Sequence, residues 1–163
     1  MTIRDTTVED AAAVASMIDL VARERQFLAA TVGFSEEATR NFIADIRSAD
    51  AVHLVAEFDG SLVGWCDIAR LPFEGMRHVG RLGMGVKRDC RGRGIGKRLL
   101  EAALLQGFGR KFERVELEVF SSNRAAVQLY ESSGFRLEGT KRAARKLDGV
   151  CDDLLMYAKL KDA

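Results

Sequence analysis

Proline is almost absent from this chain of 163 residues, with Pro72 alone, and no segment repeats or falls in complexity. Nothing therefore marks a linker, and the sequence reads as one domain over residues 1–163. Long apolar runs are missing too. None nears the roughly 18 residues that a membrane span needs, and Met1-Thr2-Ile3-Arg4-Asp5 is a polar start, so a cytoplasmic protein with no membrane partner is expected. Cysteine is scarce: Cys66, Cys90 and Cys151 are widely spaced, odd in number and without a C-x-x-C pair. That argues against a disulfide framework or a zinc ribbon and for a reducing compartment. Neither sign of charge dominates, with 25 Lys+Arg against 24 Asp+Glu and a net charge of +1. No global field then draws in nucleic acid or anionic lipid, and an anionic ligand must be held by a local device. The two histidines, His53 and His78, stand apart and no His-Glu-x-x-His occurs, so no metal is expected.

What is present is an ordinary apolar share, 47% of residues, enough for one core at this length. Thr2 to Thr6 reads as a short strand, and Thr6-Thr7-Val8-Glu9 as a capping box opening a helix with Val8, Ala12, Ala15, Ile18 and Val21 or Ala22 on its apolar stripe. Ser35 before Glu36-Glu37 starts a second helix that buries Ala38, Phe42, Ile43 and Ile46, after a polar and aromatic connection, Gln26 to Phe34. The period then changes. His53 to Phe58 and Leu62 to Trp65 read as strands joined by a turn at Asp59-Gly60, and a third strand runs from about His78 to Val86. Ile95 to Phe108 is helical, with Ile95, Leu99, Leu100, Ala103 and Leu104 on one side and Gly107 and Gly109 at its end. Val115, Leu117 and Val119 alternate with Glu116 and Glu118, which predicts a strand with one apolar face. Asn123 caps a short helix that gathers Ala126, Leu129 and Tyr130 and stops at Gly134. Phe135 to Thr140 and Val150 to Leu160, across Asp148-Gly149, close the chain as a hairpin. Alternating strands and helices in the second half predict an α/β or α+β fold.

The stretch Arg91-Gly92-Arg93-Gly94-Ile95-Gly96-Lys97-Arg98 lies between a predicted strand and the helix it opens. The first turn of a helix carries unpaired amides and the positive end of a dipole, and glycines let a phosphate approach them. Four basic side chains in eight residues add local charge, so a pyrophosphate suits this loop. It is not a P-loop: Gly92 to Gly96-Lys97 leaves three intervening residues rather than four, and Arg98 stands where Ser or Thr is needed. Nor is it a dinucleotide fingerprint, since Lys97 and Leu99 occupy the positions of the third glycine.

Arg91-Gly92-Arg93-Gly94-Ile95-Gly96 resembles the Arg/Gln-x-x-Gly-x-Gly/Ala motif with which the GNAT family of N-acetyltransferases binds the pyrophosphate of acetyl-CoA. Leu117-Glu118-Val119 and Asn123-x-x-Ala126-x-x-x-Tyr130-x-x-x-Gly134-Phe135 resemble the family's second motif, in the same order and at the usual distance. Phe135-x-x-Glu138-Gly139-Thr140 and Asp148-Gly149-x-x-x-Asp153 are similar to the bacterial amino-acid N-acetyltransferase subgroup. The resemblance implies a mixed central sheet of six or seven strands flanked by about four helices, acetyl-CoA as co-substrate, and a homodimer as one assembly.

Acyl transfer from a thioester to an amine needs a bound donor, a neutral amine, a stabilised oxyanion and a proton for the departing thiolate. The loop from Arg91 through Gly92, Arg93, Gly94, Ile95, Gly96 and Lys97 would bind the donor, and Leu82-Gly83-Met84-Gly85-Val86 offers a strand backbone with which a pantetheine arm could pair. The resemblance implies a bulge there whose amide, near Met84, polarises the thioester carbonyl. An amine with a pKa near 10 is protonated at neutral pH and needs a base. Glu118, at the family's Leu-Glu-Val position, is that candidate, with Glu116 on the same face as the alternative. Tyr130 would protonate the leaving thiolate, while Asn123 both caps its helix and contacts the cofactor. Cys90 reads as a small loop residue, and Lys141 to Lys146, basic but without interleaved aromatics, as a solvated strand or loop. The expected activity is acetyl-CoA-dependent acetylation of a primary amine on a small molecule. The alternatives are a protein N-terminus as acceptor and an acyl-CoA-binding module without catalysis.

Overall fold

Seven strands and four helices follow from the periodicities above in the computed structural model, which describes residues 1–162. In chain order they are β1 (Thr2–Asp5), α1 (Ala11–Arg23), α2 (Glu36–Ser48), β2 (Val52–Phe58), β3 (Ser61–Arg70), β4 (Val79–Val86), α3 (Ile95–Gly109), β5 (Arg114–Phe120), α4 (Arg124–Ser132), β6 (Arg136–Leu147) and β7 (Val150–Leu160). They form a single sheet in the order β1-β2-β3-β4-β5-β7-β6. Every neighbouring pair is antiparallel except β4 and β5, which makes this the mixed sheet that was expected.

The sheet is packed on two faces. Leu99, Leu100 and Ala103 of α3 and Tyr130 of α4 bury against Leu54, Ile68, Val115 and Leu117 on one face. On the other, Val14, Met17 and Val21 of α1 pack on Val55, Leu62 and Trp65. Each of these large side chains, removed from water, contributes roughly 1.5–3 kcal/mol, and together they fix which way the strands face.

Four local expectations need correction. The buried stripe of α1 is Ala11, Val14, Ala15, Met17, Val21 and Ala22, with Ala12 exposed. Alanines at 11, 12 and 13 offer no contrast from which to read a face, and packing on Trp65 decides it instead. The capping box lies one residue later. Thr6 is fully buried, its N–H on the His53 carbonyl at 2.9 Å and its hydroxyl on His53 Nδ1 at 2.7 Å, so the Thr7 amide takes the Asp10 carboxylate at 2.9 Å. On α2, whose Ser35 hydroxyl accepts from the Ala38 amide as expected, the buried residues are Thr39, Ile43 and Ile46. Ala38 is exposed, and Phe42 meets the His53 ring edge-on at 5.9 Å while staying partly in solvent. Finally, β6 continues to Leu147 and takes in the basic run, with breaks in register around Gly139 and between Lys141 and Arg145. Both of its faces are largely exposed, which removes the alternation that marks a strand in sequence.

Candidate active site

β4 and β5 pair over only three residues each, Val79 with Arg114, Gly80 with Val115 and Arg81 with Glu116, and then part. β5 follows β7 to the pair Phe120 and Leu154, while β4 follows β3 without interruption to Val86 opposite Gly64. The parting therefore splits the sheet at its only parallel junction. The Lys87 amide bonds Val63 O and the Leu71 amide bonds Val79 O, so odd-numbered residues of β4 bond to β3 along an unbroken register. Met84 and Val86 consequently turn their backbone groups into the gap. The bulge expected near Met84 is absent: register is regular, and Gly85 is glycine because a side chain there would run into the Trp65 ring. Divergence of β5 exposes the Met84 amide without one.

Beyond β4 the chain makes a short turn, Arg88–Cys90, and then the glycine-rich loop. Gly92 and Gly94 have φ of 73° and 76°, in the left-handed region that costs other L-residues roughly 1–2 kcal/mol. The first backbone bond of α3 is Arg98 N–H to Gly94 O at 3.1 Å. The amides of residues 92–97 therefore have no acceptor among the described residues, six donors in sequence at the positive end of a helix of 15 residues. Such a run of free amides can hold an anion of the size of a diphosphate, and it is built from backbone.

Side chains of the loop divide unevenly. Arg93 and Lys97 are exposed, Lys97 lying 3.8 Å from Glu101. Arg91 turns away: its guanidinium bonds both oxygens of Glu24 at 2.7 and 2.6 Å and Val86 O at 2.8 Å, and stacks 4.6 Å from the Phe27 ring centre. It braces the loop against the end of α1 rather than facing the free amides. The sequence carries no signal for this contact between residues so far apart.

The cleft of about 460 Å³ between the strands brings together Met84, Gly85, Val86, Gly92, Gly94 and Gly96 on one side and Glu118, Asn123, Ala126 and Tyr130 on the other. Arg91, Ile95 and Lys97 also line it, so every sequence-predicted site residue except Arg93 reaches this one cleft. Val21 of α1, with Phe27 and Leu28 from the polar and aromatic connection after it, forms a further wall; none of the three carries a motif that names it singly in the sequence. Asn123 Oδ1 accepts from the Ala126 amide at 3.3 Å and so holds the first turn of α4. Tyr130 is nearly buried, its ring edge-on to Phe135 at 5.8 Å, and burial pushes the phenol well above its ordinary pKa. It remains protonated at any working pH. Glu118 and Glu116 part company here. Glu118 enters the cleft with Lys141 Nζ at 2.6 Å from its Oε1, while Glu116 lies outside the cleft lining, against Arg81 at 3.4 Å and Arg114 at 3.3 Å.

Known proteins are similar to this chain in sequence and in fold. The profile of the acetyltransferase (GNAT) family matches residues 15–135. The chain is 38% identical over 113 residues to the N-alpha-acetyltransferase RimI of Mycobacterium tuberculosis, covering 67% of each chain. It is 29% identical over 109 residues to the L-amino acid N-acetyltransferase AaaT of Escherichia coli, covering 66% of this chain and 67% of that one. Among solved structures, yncA from Salmonella typhimurium, determined with its cofactor acetyl-CoA, superposes with a TM-score of 0.94 at 20% identity, over all of this chain and 95% of that one.

Proposed function

The chain belongs to the GNAT family of acetyltransferases and uses acetyl-CoA, and on that premise we propose that it acetylates the primary amine of a small molecule, an amino acid or a related amine, by direct attack on the thioester. The observation that carries the reading is the strand gap, with the six free amides of residues 92–97 at one end and Glu118 and Tyr130 in the same cleft.

The residues divide the work. Amides 92–97 hold the diphosphate, Arg93 and Lys97 add charge, and Met84, Gly85 and Val86 give the pantetheine arm an edge to pair with. The Met84 N–H is the donor for the carbonyl oxygen as it becomes negative, a contact typically worth a few kcal/mol of barrier. Tyr130 faces the sulfur. Burial makes it a weaker acid, so it acts first as a hydrogen-bond donor, and its proton moves as charge builds on the departing thiolate. Glu118 is the base, acting through water. Acetyl-CoA itself supplies the activated acyl group.

A small acceptor is favoured by the way the connection beside the cleft is braced. Arg25 makes two hydrogen bonds to Asp148, 3.1 and 2.7 Å, and Arg145 bonds Gln26 O at 2.9 Å. These tie the connection between α1 and α2, which carries the cleft residues Phe27 and Leu28, to the β6–β7 hairpin, and a braced wall of this kind suits a compact acceptor better than an extended chain. Purified protein with acetyl-CoA is to be assayed for thiol release on L-amino acids, polyamines, aminoglycosides and short peptides. Free amino acids acetylated ahead of peptides is the expected result; peptides preferred by tenfold or more would give the acceptor role to a protein N-terminus.

A further inference from the structure

Asp67 has no part in the chemistry above, yet it stands one strand from the gap. It faces the α1 side of the sheet, paired across β2 with His53 and across β4 with Gly83. Gly83 lines the cleft, and its missing side chain leaves the Asp67 carboxylate room, since a Cβ there would sit 3.1 Å from Oδ1. On the far side of Gly83 the order repeats. Arg81 pairs with Glu116, and two residues further along these parallel strands come Gly83 and Glu118, on the same face. Asp67 and Glu118 thus lie on one face of the sheet on either side of Gly83, at the level where β4 and β5 have parted; Gly83 and Glu118 line the cleft, and Asp67 stands beside Gly83 just outside that lining.

We propose that Asp67 is the second carboxylate of the acceptor site: it receives the acceptor's ammonium beside Gly83 and takes its first proton. The assignment rests on the acetyltransferase reading above.

The surroundings of Asp67 suit this task. It is mostly buried and has no hydrogen-bond or ion-pair partner among the described residues. Glu118, by contrast, already holds Lys141, and Glu116 holds Arg81 and Arg114. The groups turned to Asp67 carry no compensating charge. His53 is neutral, with Nδ1 on the Thr6 hydroxyl and burial lowering its pKa to about 4, while Trp65 and Ala69 flank Asp67 on its own strand. Over this face Val14, Met17 and Val21 of α1 pack on Trp65, and Phe42 of α2 meets His53; the charged group of β4 on the same face, Arg81 opposite Ala69, is held by Glu116 at 3.4 Å. Burial therefore raises the Asp67 carboxyl to about 7, which makes it a proton acceptor matched to neutral pH. A carboxylate left unpaired in such a place is what a transient cation would complete.

Protons and bonds balance. The acceptor enters as an ammonium and gives one proton to Asp67, which releases it to solvent. The free amine forms the C–N bond as the C–S bond breaks, and the second nitrogen proton passes to Glu118 through water. Tyr130 gives its proton to the sulfur and recovers one from Glu118. One amide, one thiol and one proton in solvent result.

The experiment is a carbon-13 NMR titration of aspartate side-chain carboxyls in the coenzyme A complex, with Asp67→Asn identifying the Asp67 signal, repeated with ethylammonium as probe. The expected midpoint is near 7, falling by half a unit or more with ethylammonium, because a bound cation favours the carboxylate. A midpoint below about 5, or one that ethylammonium leaves unmoved, overturns the proposal. In turnover of the best amine from the panel, Asp67→Asn should keep its coenzyme A affinity, lose about 100-fold in kcat/KM at pH 7 and lose the rise of rate through pH 7. Unchanged rate and profile also overturn it. If the wild type binds coenzyme A, shows the shifted midpoint and acetylates no amine, it is the acceptor class under Proposed function that fails, and the carboxylate's cation site stands.

Discussion

Arg91 and Glu24 are joined by two hydrogen bonds of 2.7 and 2.6 Å, linking the residue that ends α1 to the glycine-rich loop. The motif arginine, which in sequence reads as a phosphate ligand, is a brace. Glu24→Gln should therefore leave kcat within about twofold while raising the Kd for coenzyme A about threefold to tenfold, since the loop's amides lose their support. It should also lower stability by about 1–2 kcal/mol, the range for a charge-assisted pair that is partly buried. Calorimetry and a urea titration check both. Unchanged affinity would mean that the loop holds its shape unaided.

Gly94 sits at the mouth of α3 with φ of 76° and nothing within 4 Å of an added Cβ. Only backbone conformation opposes a side chain there. Gly94→Ala should lower stability by about 1 kcal/mol and weaken coenzyme A binding tenfold or more, because relaxing φ re-aims the amides around it. Dephospho-coenzyme A, which retains the diphosphate, should lose affinity by the same factor. If the substitution spares dephospho-coenzyme A alone, the loop contacts some other part of the molecule.

Tyr130 is edge-on to Phe135 and loses little packing when its hydroxyl is removed. Tyr130→Phe is expected to cut kcat roughly 10- to 100-fold with the Kd for acetyl-CoA unchanged. Stopped-flow thiol release beside calorimetry separates the two effects. Full turnover in the variant would remove the tyrosine from the leaving-group step.

Between pH 4 and 7 two buried groups pull stability in opposite directions. His53 titrates at about 4 when folded against 6.5 as the reference, so over that window the unfolded chain binds its proton and stability falls as pH drops. Asp67 is raised from 3.8 to about 7, so over the same window the folded protein binds its proton and stability falls as pH rises. The two nearly cancel in the wild type. Asp10, lowered to about 2 chiefly by its hydrogen bonds to Arg4, acts only below about pH 4. Asp67→Asn should be more stable than the wild type at pH 7.5 by about 2–4 kcal/mol, and should then lose stability steadily toward pH 4.5 as His53 acts alone. Urea midpoints at pH 4.5, 6 and 7.5 measure this. A variant less stable at pH 7.5 would show that the Asp67 carboxylate is well solvated.

Much of the site was legible because its signals are local. Glycines set among basic residues before a helix start write the loop of the candidate site, alternation writes β5, and a cap with residues at helical spacing writes Asn123, Ala126 and Tyr130. What escaped depends on contacts between distant segments. The face of α1 is chosen by Trp65, the role of Arg91 by Glu24, and the choice of Glu118 over Glu116 by where β4 and β5 part. Asp67 escaped because the expected strand stopped at Trp65, and only the pairing of β3 onward to Arg70 places it between His53 and Gly83. The length of β6 escaped because a strand wet on both faces has no period to read.

A crystal structure of the protein with coenzyme A bears most directly on all of this. The diphosphate oxygens should accept hydrogen bonds from amides within residues 92–97, and the thiol end should lie between β4 and β5 within reach of the Met84 N–H and the Tyr130 hydroxyl. A diphosphate seated on side chains elsewhere, with those amides facing water, would contradict the account.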